Sequence, residues 1–164
     1  MHYSVPRMKI NILVGTMTGT AQLCAQEMEL ALDGDEVQVK TLLMDKLDPS
    51  VFADRDAAYL ICTSTYGQGD VPDNAKALYE SLQTRRPDLS GVQYGVVALG
   101  DRTYKDTFCN GGRRFDAILS ELGAKRIGEL FIHDASSGVL AEEAATEWVG
   151  PWSDLVRAQS GVEA

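Results

Sequence analysis

Solid apolar runs alternate along this chain with stripes of helical period. Lys9 to Val14 is an apolar run closed by Gly15, and Ala21, Cys24, Ala25, Met28 and Leu32 follow at helical spacing up to Gly34. Glu36 to Lys40 alternates, with Val37 and Val39 on one face. Ala57 to Cys62 is again solidly apolar, and Ala75, Leu78, Tyr79 and Leu82 mark a helix beginning at Asn74, capped by Asp73 or Asn74. Tyr94 to Leu99 is a further run, followed by Phe115, Ile118, Leu119 and Leu122 on a helix that Gly123 ends. Arg126 to Ile132 reads as a fifth strand. Ala141, Ala144, Ala145 and Trp148 open a last helix, which Gly150-Pro151 is expected to kink before Trp152, Leu155 and Val156.

Five strand-helix units predict a parallel sheet with helices on both faces. The first, third and fourth strands are nearly all apolar, as strands buried on both sides must be. The second alternates and the fifth carries Arg126, Gly128 and Glu129, so both read as edges. The predicted order is 2-1-3-4-5, in a three-layer sandwich. The chain then reverses across the sheet between strands 1 and 3, and ligands of such sheets bind beyond the carboxyl ends at that point.

Three loops fall at that edge. The first, Gly15 to Thr20, joins a strand to a helix start, where unpaired N–H groups and the helix dipole favour an anion. Thr16, Thr18 and Thr20 add hydroxyls, and Gly19 permits close approach. The loop has no lysine of the nucleotide-hydrolysing type, so it suits a phosphate monoester that is held and not cleaved. The second loop, Ser64-Thr65-Tyr66-Gly67-Gln68-Gly69-Asp70, and the third, Gly100-Asp101-Arg102-Thr103-Tyr104 running to Phe108-Cys109-Asn110, each set a tyrosine among polar residues. Each loop alone also reads as plain structure: a helix capped by Thr18, a turn with a half-buried tyrosine, a ring snorkelling among charges. Their coincidence on one edge points to a flat aromatic ring on a phosphate tether.

Composition narrows the setting. A net charge of −9 disfavours nucleic acid. The spacing of Cys24, Cys62 and Cys109 suits neither a disulfide framework nor a metal site, and a reducing cytoplasm is the expected compartment. No apolar run approaches the about 20 residues of a membrane span. Residues 1–7 and 158–164 read as tails around a single domain over 8–157, expected to be monomeric. His133, at a strand end, reads as structural.

The loops resemble those of the short-chain flavodoxins, the small bacterial MioC-type proteins above all, and the flavin-mononucleotide (FMN) domains of cytochrome P450 reductase and sulfite reductase. Thr16-Met17-Thr18-Gly19-Thr20-Ala21 is similar to the family's phosphate loop. Ser64-Thr65-Tyr66-Gly67-Gln68-Gly69, followed by Pro72-Asp73-Asn74, is similar to its second loop. Leu99-Gly100-Asp101 with Tyr104 and Phe108-Cys109 is similar to its third, and Glu147-Trp148-Val149-Gly150 with Trp152 resembles the MioC-type tail. Flavodoxin is itself the type example of the strand order deduced above. The resemblance implies FMN bound by these loop residues, with Tyr66 and Tyr104 flanking the ring. Met17 departs from the usual polar residue. A spacing one residue longer than in many relatives leaves Lys105 as the alternative to Tyr104. The implied role is one-electron transfer, without catalysis of its own, from an NAD(P)H-dependent flavodoxin/ferredoxin reductase to a redox enzyme such as a P450 or a radical or biosynthetic enzyme. A flavin-dependent NAD(P)H:quinone reductase and an FMN-binding module with no carrier role are the alternatives. A phosphorylatable receiver domain shares the strand order but would need acids and a lysine where Gly15-Thr16, Ser64-Thr65 and His133-Asp134 stand.

Overall fold

The computed structural model describes residues 8–16, 19–34, 36–65, 71–100 and 109–160. The elements are β1 (Met8–Gly15), α1 (Thr20–Leu32), β2 (Val37–Leu43), β3 (Ala57–Thr63), α2 (Asp73–Arg85), β4 (Gln93–Gly100), α3 (Asn110–Glu121), β5 (Lys125–Arg126), β6 (Phe131–Asp134) and α4 (Ala141–Ser160). The strands form one parallel sheet in the order β2-β1-β3-β4-β5, with β6 also paired to β4. This is the order expected from the texture of the runs.

Period-two alternation divides the sheet's side chains between two cores. Ile10, Ile12, Val14, Leu60, Cys62, Val97 and Leu99 meet Cys24, Ala25 and Met28 of α1 and Ala145, Val149 and Trp152 of α4. Leu13, Tyr59, Ile61, Tyr94, Val96 and Ala98 meet Leu78 and Leu82 of α2 and Phe115 and Leu119 of α3. Every residue of β3 is buried, in keeping with its central place.

Two local expectations are corrected. The fifth strand is two pieces. Tyr94 pairs with Arg126 and Val97 with Phe131, so the outer chain places two more residues than β4 between these pairs. Gly128, at φ +73°, makes the detour, and the buried Trp152 occupies its inner side, donating its indole N–H to Ile127 O (3.0 Å). Pro72 holds the cap position of α2, which has no side-chain cap bond. Asn74 is engaged elsewhere, as described below. α4 runs through Gly150 and the exposed Pro151 to Ser160. Gly34 stands just past the end of α1, where the spacing placed it. The helix ends at extended Asp33 (φ −66°, ψ 133°), whose carboxylate accepts the Val39 N–H (3.0 Å).

Trp152 also lies against Gly95 of β4. A Cβ placed there would stand 2.4 Å from the indole nitrogen. Gly95→Ala therefore forces the largest fully buried side chain away from Ile127 O, and overpacking of this kind costs about 1–3 kcal/mol. A lowered melting temperature in Gly95→Ala, with the far-ultraviolet dichroism unchanged, is the expected result.

All three cysteines are buried and free. Burial, reinforced by the nearby Glu142 charge, pushes the Cys24 thiol from its ordinary 9.0 up to about 12. Burial raises Cys62, Tyr59 and Tyr94 as well. The unfolded chain therefore releases these protons at lower pH than the folded one. Their contribution to stability is complete below about pH 9 and is lost as pH rises through the folded values. Urea titrations at about pH 7 and about pH 10 should give a lower midpoint at the higher pH.

Candidate functional site at the carboxyl rim of the sheet

The register brings the predicted loops to one rim. Gly15 pairs with Thr63 and Thr63 with Ala98, while Leu99 and Gly100 lie opposite His133 and Asp134. Thr16, Gly19, Thr20 and Ala21 lie beyond β1, Ser64 and Thr65 beyond β3, and Leu99, Gly100 and Cys109 at the end of β4 and the start of α3. Met17, Thr18, Tyr66, Gly67, Gln68, Gly69, Asp101, Tyr104 and Phe108 fall outside the described residues, as does Lys105.

α1 starts within five residues of the end of β1. Its cap residue is Gly19 at φ +94°, where a Cβ would meet no neighbour among the described residues, and no acidic residue lies in its first turn. The positive end of the helix dipole thus meets no carboxylate from the helix's own first turn. Thr20 is exposed, whereas the Ala21 side chain is wholly buried and its carbonyl accepts the Cys62 thiol (3.4 Å). Only the backbone of Ala21 is therefore available to the rim. The Thr16 hydroxyl accepts the Gly19 N–H (2.9 Å) and closes the loop on itself.

Two side chains join the three loops. The carboxamide of Asn74, near the start of α2, accepts the Thr16 N–H at Oδ1 (2.8 Å) and donates from Nδ2 to Val14 O (3.2 Å). The Thr65 hydroxyl donates to Leu99 O (3.1 Å) and accepts the Gly111 N–H (3.0 Å). Thr65 thus fastens the end of β3 to the end of β4 and to the first turn of α3, and its hydroxyl is committed to the protein. Small residues permit these approaches. A Cβ on Gly111 would lie 2.4 Å from Ser64 O, and one on Gly100 would lie 2.7 Å from the Cys109 amide nitrogen. Cys109 itself is wholly buried, in the left-handed region at φ 58°, and caps α3, whose first turn is also free of acids. Its thiol donates to Ala98 O (3.4 Å), so any role at the rim belongs to its backbone.

Sequence reasoning took Asn74 for a helix cap and passed over Gly111 and the buried Thr63. The signal for Asn74 is its spacing. It stands four residues before the buried Leu78 and so shares the apolar stripe of α2. His133 is structural, its Nε2 lying 2.7 Å from Val139 O. Among the described residues no group of His, Cys, Asp or Glu could hold a metal ion, and no helix is long and apolar enough to cross a membrane.

This rim, with no acid in the first turn of α1, lies at the switch point of a doubly wound parallel sheet, where ligands of such sheets bind. The flavodoxin family model matches residues 12–148. The chain is 42% identical over 153 residues to flavodoxin YqcA of Pectobacterium carotovorum subsp. carotovorum, covering 92% of this chain and 99% of that protein. It is 34% identical over 151 residues to protein MioC of Escherichia coli (strain K12), covering 90% and 98%. It is 36% identical over 148 residues to the sulfite reductase [NADPH] flavoprotein alpha-component of Vibrio parahaemolyticus serotype O3:K6, covering 87% of this chain and 22% of that protein. A cysteine variant of flavodoxin from Pseudomonas aeruginosa superposes with a TM-score of 0.81 at 30% identity, covering 92% and 99%. The chain belongs to the flavodoxin family, whose cofactor is FMN. The short-chain, MioC-like resemblance read from the loops is borne out.

Thr65→Val keeps the shape of the side chain but leaves the Gly111 N–H without its acceptor and Leu99 O without its donor. Unmade bonds of this kind cost about 1–3 kcal/mol. The denaturation midpoint of the flavin-free protein should fall accordingly, with an unchanged m-value.

Proposed function

We infer that this protein binds FMN at the carboxyl rim and carries single electrons between an NAD(P)H-dependent flavodoxin/ferredoxin reductase and a redox enzyme acceptor. The observation that carries the reading is the meeting of three loops at one rim, with α1 free of acids in its first turn at one pole and the ends of β3 and β4 locked together at the other. The residues of the first loop, Thr16 to Ala21, hold the phosphate through backbone N–H groups and hydroxyls. Charge-assisted hydrogen bonds of about 1.5–3 kcal/mol each anchor a dianion without a lysine. Ser64 to Gly69 and the Leu99–Asp101 segment, with Tyr104, Phe108 and Cys109, hold the ring. Two flanking aromatic rings would add about 0.5–1.5 kcal/mol each beyond area burial.

When bound, FMN supplies the one-electron chemistry. The chain's task is to orient it, keep one edge open to partners and surround it with charge. The overall charge of −9 favours basic partner surfaces and fast encounter. The protein acts as a monomer in the cytoplasm and has no turnover of its own.

The test reconstitutes purified protein with FMN and follows flavin fluorescence quenching, then supplies NADPH, a flavodoxin reductase and cytochrome c as terminal acceptor. Cytochrome c reduction that requires both proteins is the expected outcome. Failure to bind FMN overturns the reading, and so does direct turnover of NADPH with a quinone in the absence of reductase, which would identify a quinone reductase.

A further inference from the structure

The end of β1 presents a problem of unpaired backbone. Gly15 O points toward β3, where it accepts the Ser64 N–H (3.0 Å). In a parallel ladder the neighbouring groups, Val14 O and Thr16 N–H, then point the other way, toward β2. But β2 stops at Leu43, opposite Val14, and the chain turns off through Met44–Lys46. The two groups face the place where the next β2 residue would have been.

The Asn74 carboxamide fills that place. It donates to Val14 O (3.2 Å) and accepts from Thr16 N–H (2.8 Å), the same donor-acceptor pair that the N–H and C=O of one residue of a parallel strand give its neighbour. These partners also fix which end of the amide is oxygen, since a carbonyl needs a donor and an N–H an acceptor. The bonds continue inward: Asn74 holds Thr16, the Thr16 hydroxyl accepts Gly19 N–H (2.9 Å), and Gly19 O accepts Leu23 N–H (2.9 Å) in the first turn of α1. Gly15 allows the strand to lie close on its neighbour, since a Cβ there would stand 2.6 Å from the Thr63 hydroxyl.

We propose that Asn74 is the positioning residue of the phosphate pole: it sets the Thr16–Gly19 loop in the shape that receives the FMN phosphate, without touching the cofactor. The inference rests on the FMN reading above and adds to it a division of labour, in which Asn74 governs the tether and leaves the ring pole to Thr65. It also makes Thr16 N–H unavailable to the phosphate, leaving the Thr16 hydroxyl hydrogen and the remaining donors of the Thr16–Ala21 segment to bind it.

Flavin-free protein is titrated separately with FMN and with riboflavin, which lacks the phosphate, and flavin fluorescence is followed. The wild type should bind FMN more tightly than riboflavin. In Asn74→Ala, FMN affinity should fall about tenfold, the equivalent of one to two hydrogen bonds, while riboflavin affinity stays within about twofold. Asn74→Asp preserves size and the acceptor but sets a carboxylate against Val14 O and beside a dianion. It should lose FMN affinity at least as strongly as the alanine variant, again sparing riboflavin, and it keeps the test open if Asn74→Ala does not fold. Amide exchange at Thr16 should quicken in each variant. Equal losses for the two flavins, or no change for either, would overturn the positioning role while leaving FMN binding intact. A wild type that binds neither flavin would overturn both readings.

Discussion

The rim depends on backbone groups that lose their sheet partners where the strands end. A buried N–H or C=O without a partner is expensive, so each must be met by another group if the rim is to stay dry and fixed. Here two short side chains meet four of them. Asn74 takes the pair left on β1, and Thr65 takes Leu99 O and Gly111 N–H. Because each bridges different elements, satisfying the backbone also joins the loops. The accounting of hydrogen bonds and the geometry of the site are thus the same fact.

The cores beneath the rim make this possible by allowing close approach at a few points. Gly15, Gly100, Gly111 and Gly112 each stand where a methyl group would meet a neighbour at 2.4–2.7 Å. At Gly112 that neighbour is Ala98 of β4, so α3 lies close on the sheet and its first turn reaches Ser64 and Thr65. A more distant helix would leave the Thr65 hydroxyl without one of its partners. Packing on the α2–α3 face and polar contacts at the rim are coupled through these small residues.

Much of this was legible in the residues themselves. The strand order follows from texture: β3 apolar throughout and buried throughout, β2 alternating at an edge. The rim position of the loops follows from that order, because parallel strands place all their carboxyl ends together. What was not legible depended on tertiary neighbours. Asn74 beside a helix start reads as a cap by local rules, and only the early departure of β2 explains why it faces β1 instead. The fifth segment reads as one strand because Arg126 to Ile132 is uniformly extended in character. Its division needs Trp152, which comes from a helix more than twenty residues later and claims the Ile127 carbonyl.

The divided outer strand has a consequence for self-association. An uninterrupted edge strand is a template on which a second molecule can lay a strand of its own. Lys125–Arg126 and Phe131–Asp134 present two and four residues, separated by a glycine-led detour and opened by two cations. An incoming chain would find no continuous row of donors and acceptors to follow. The indole that fills the space beneath the detour therefore also guards this border of the sheet against extension into a shared one.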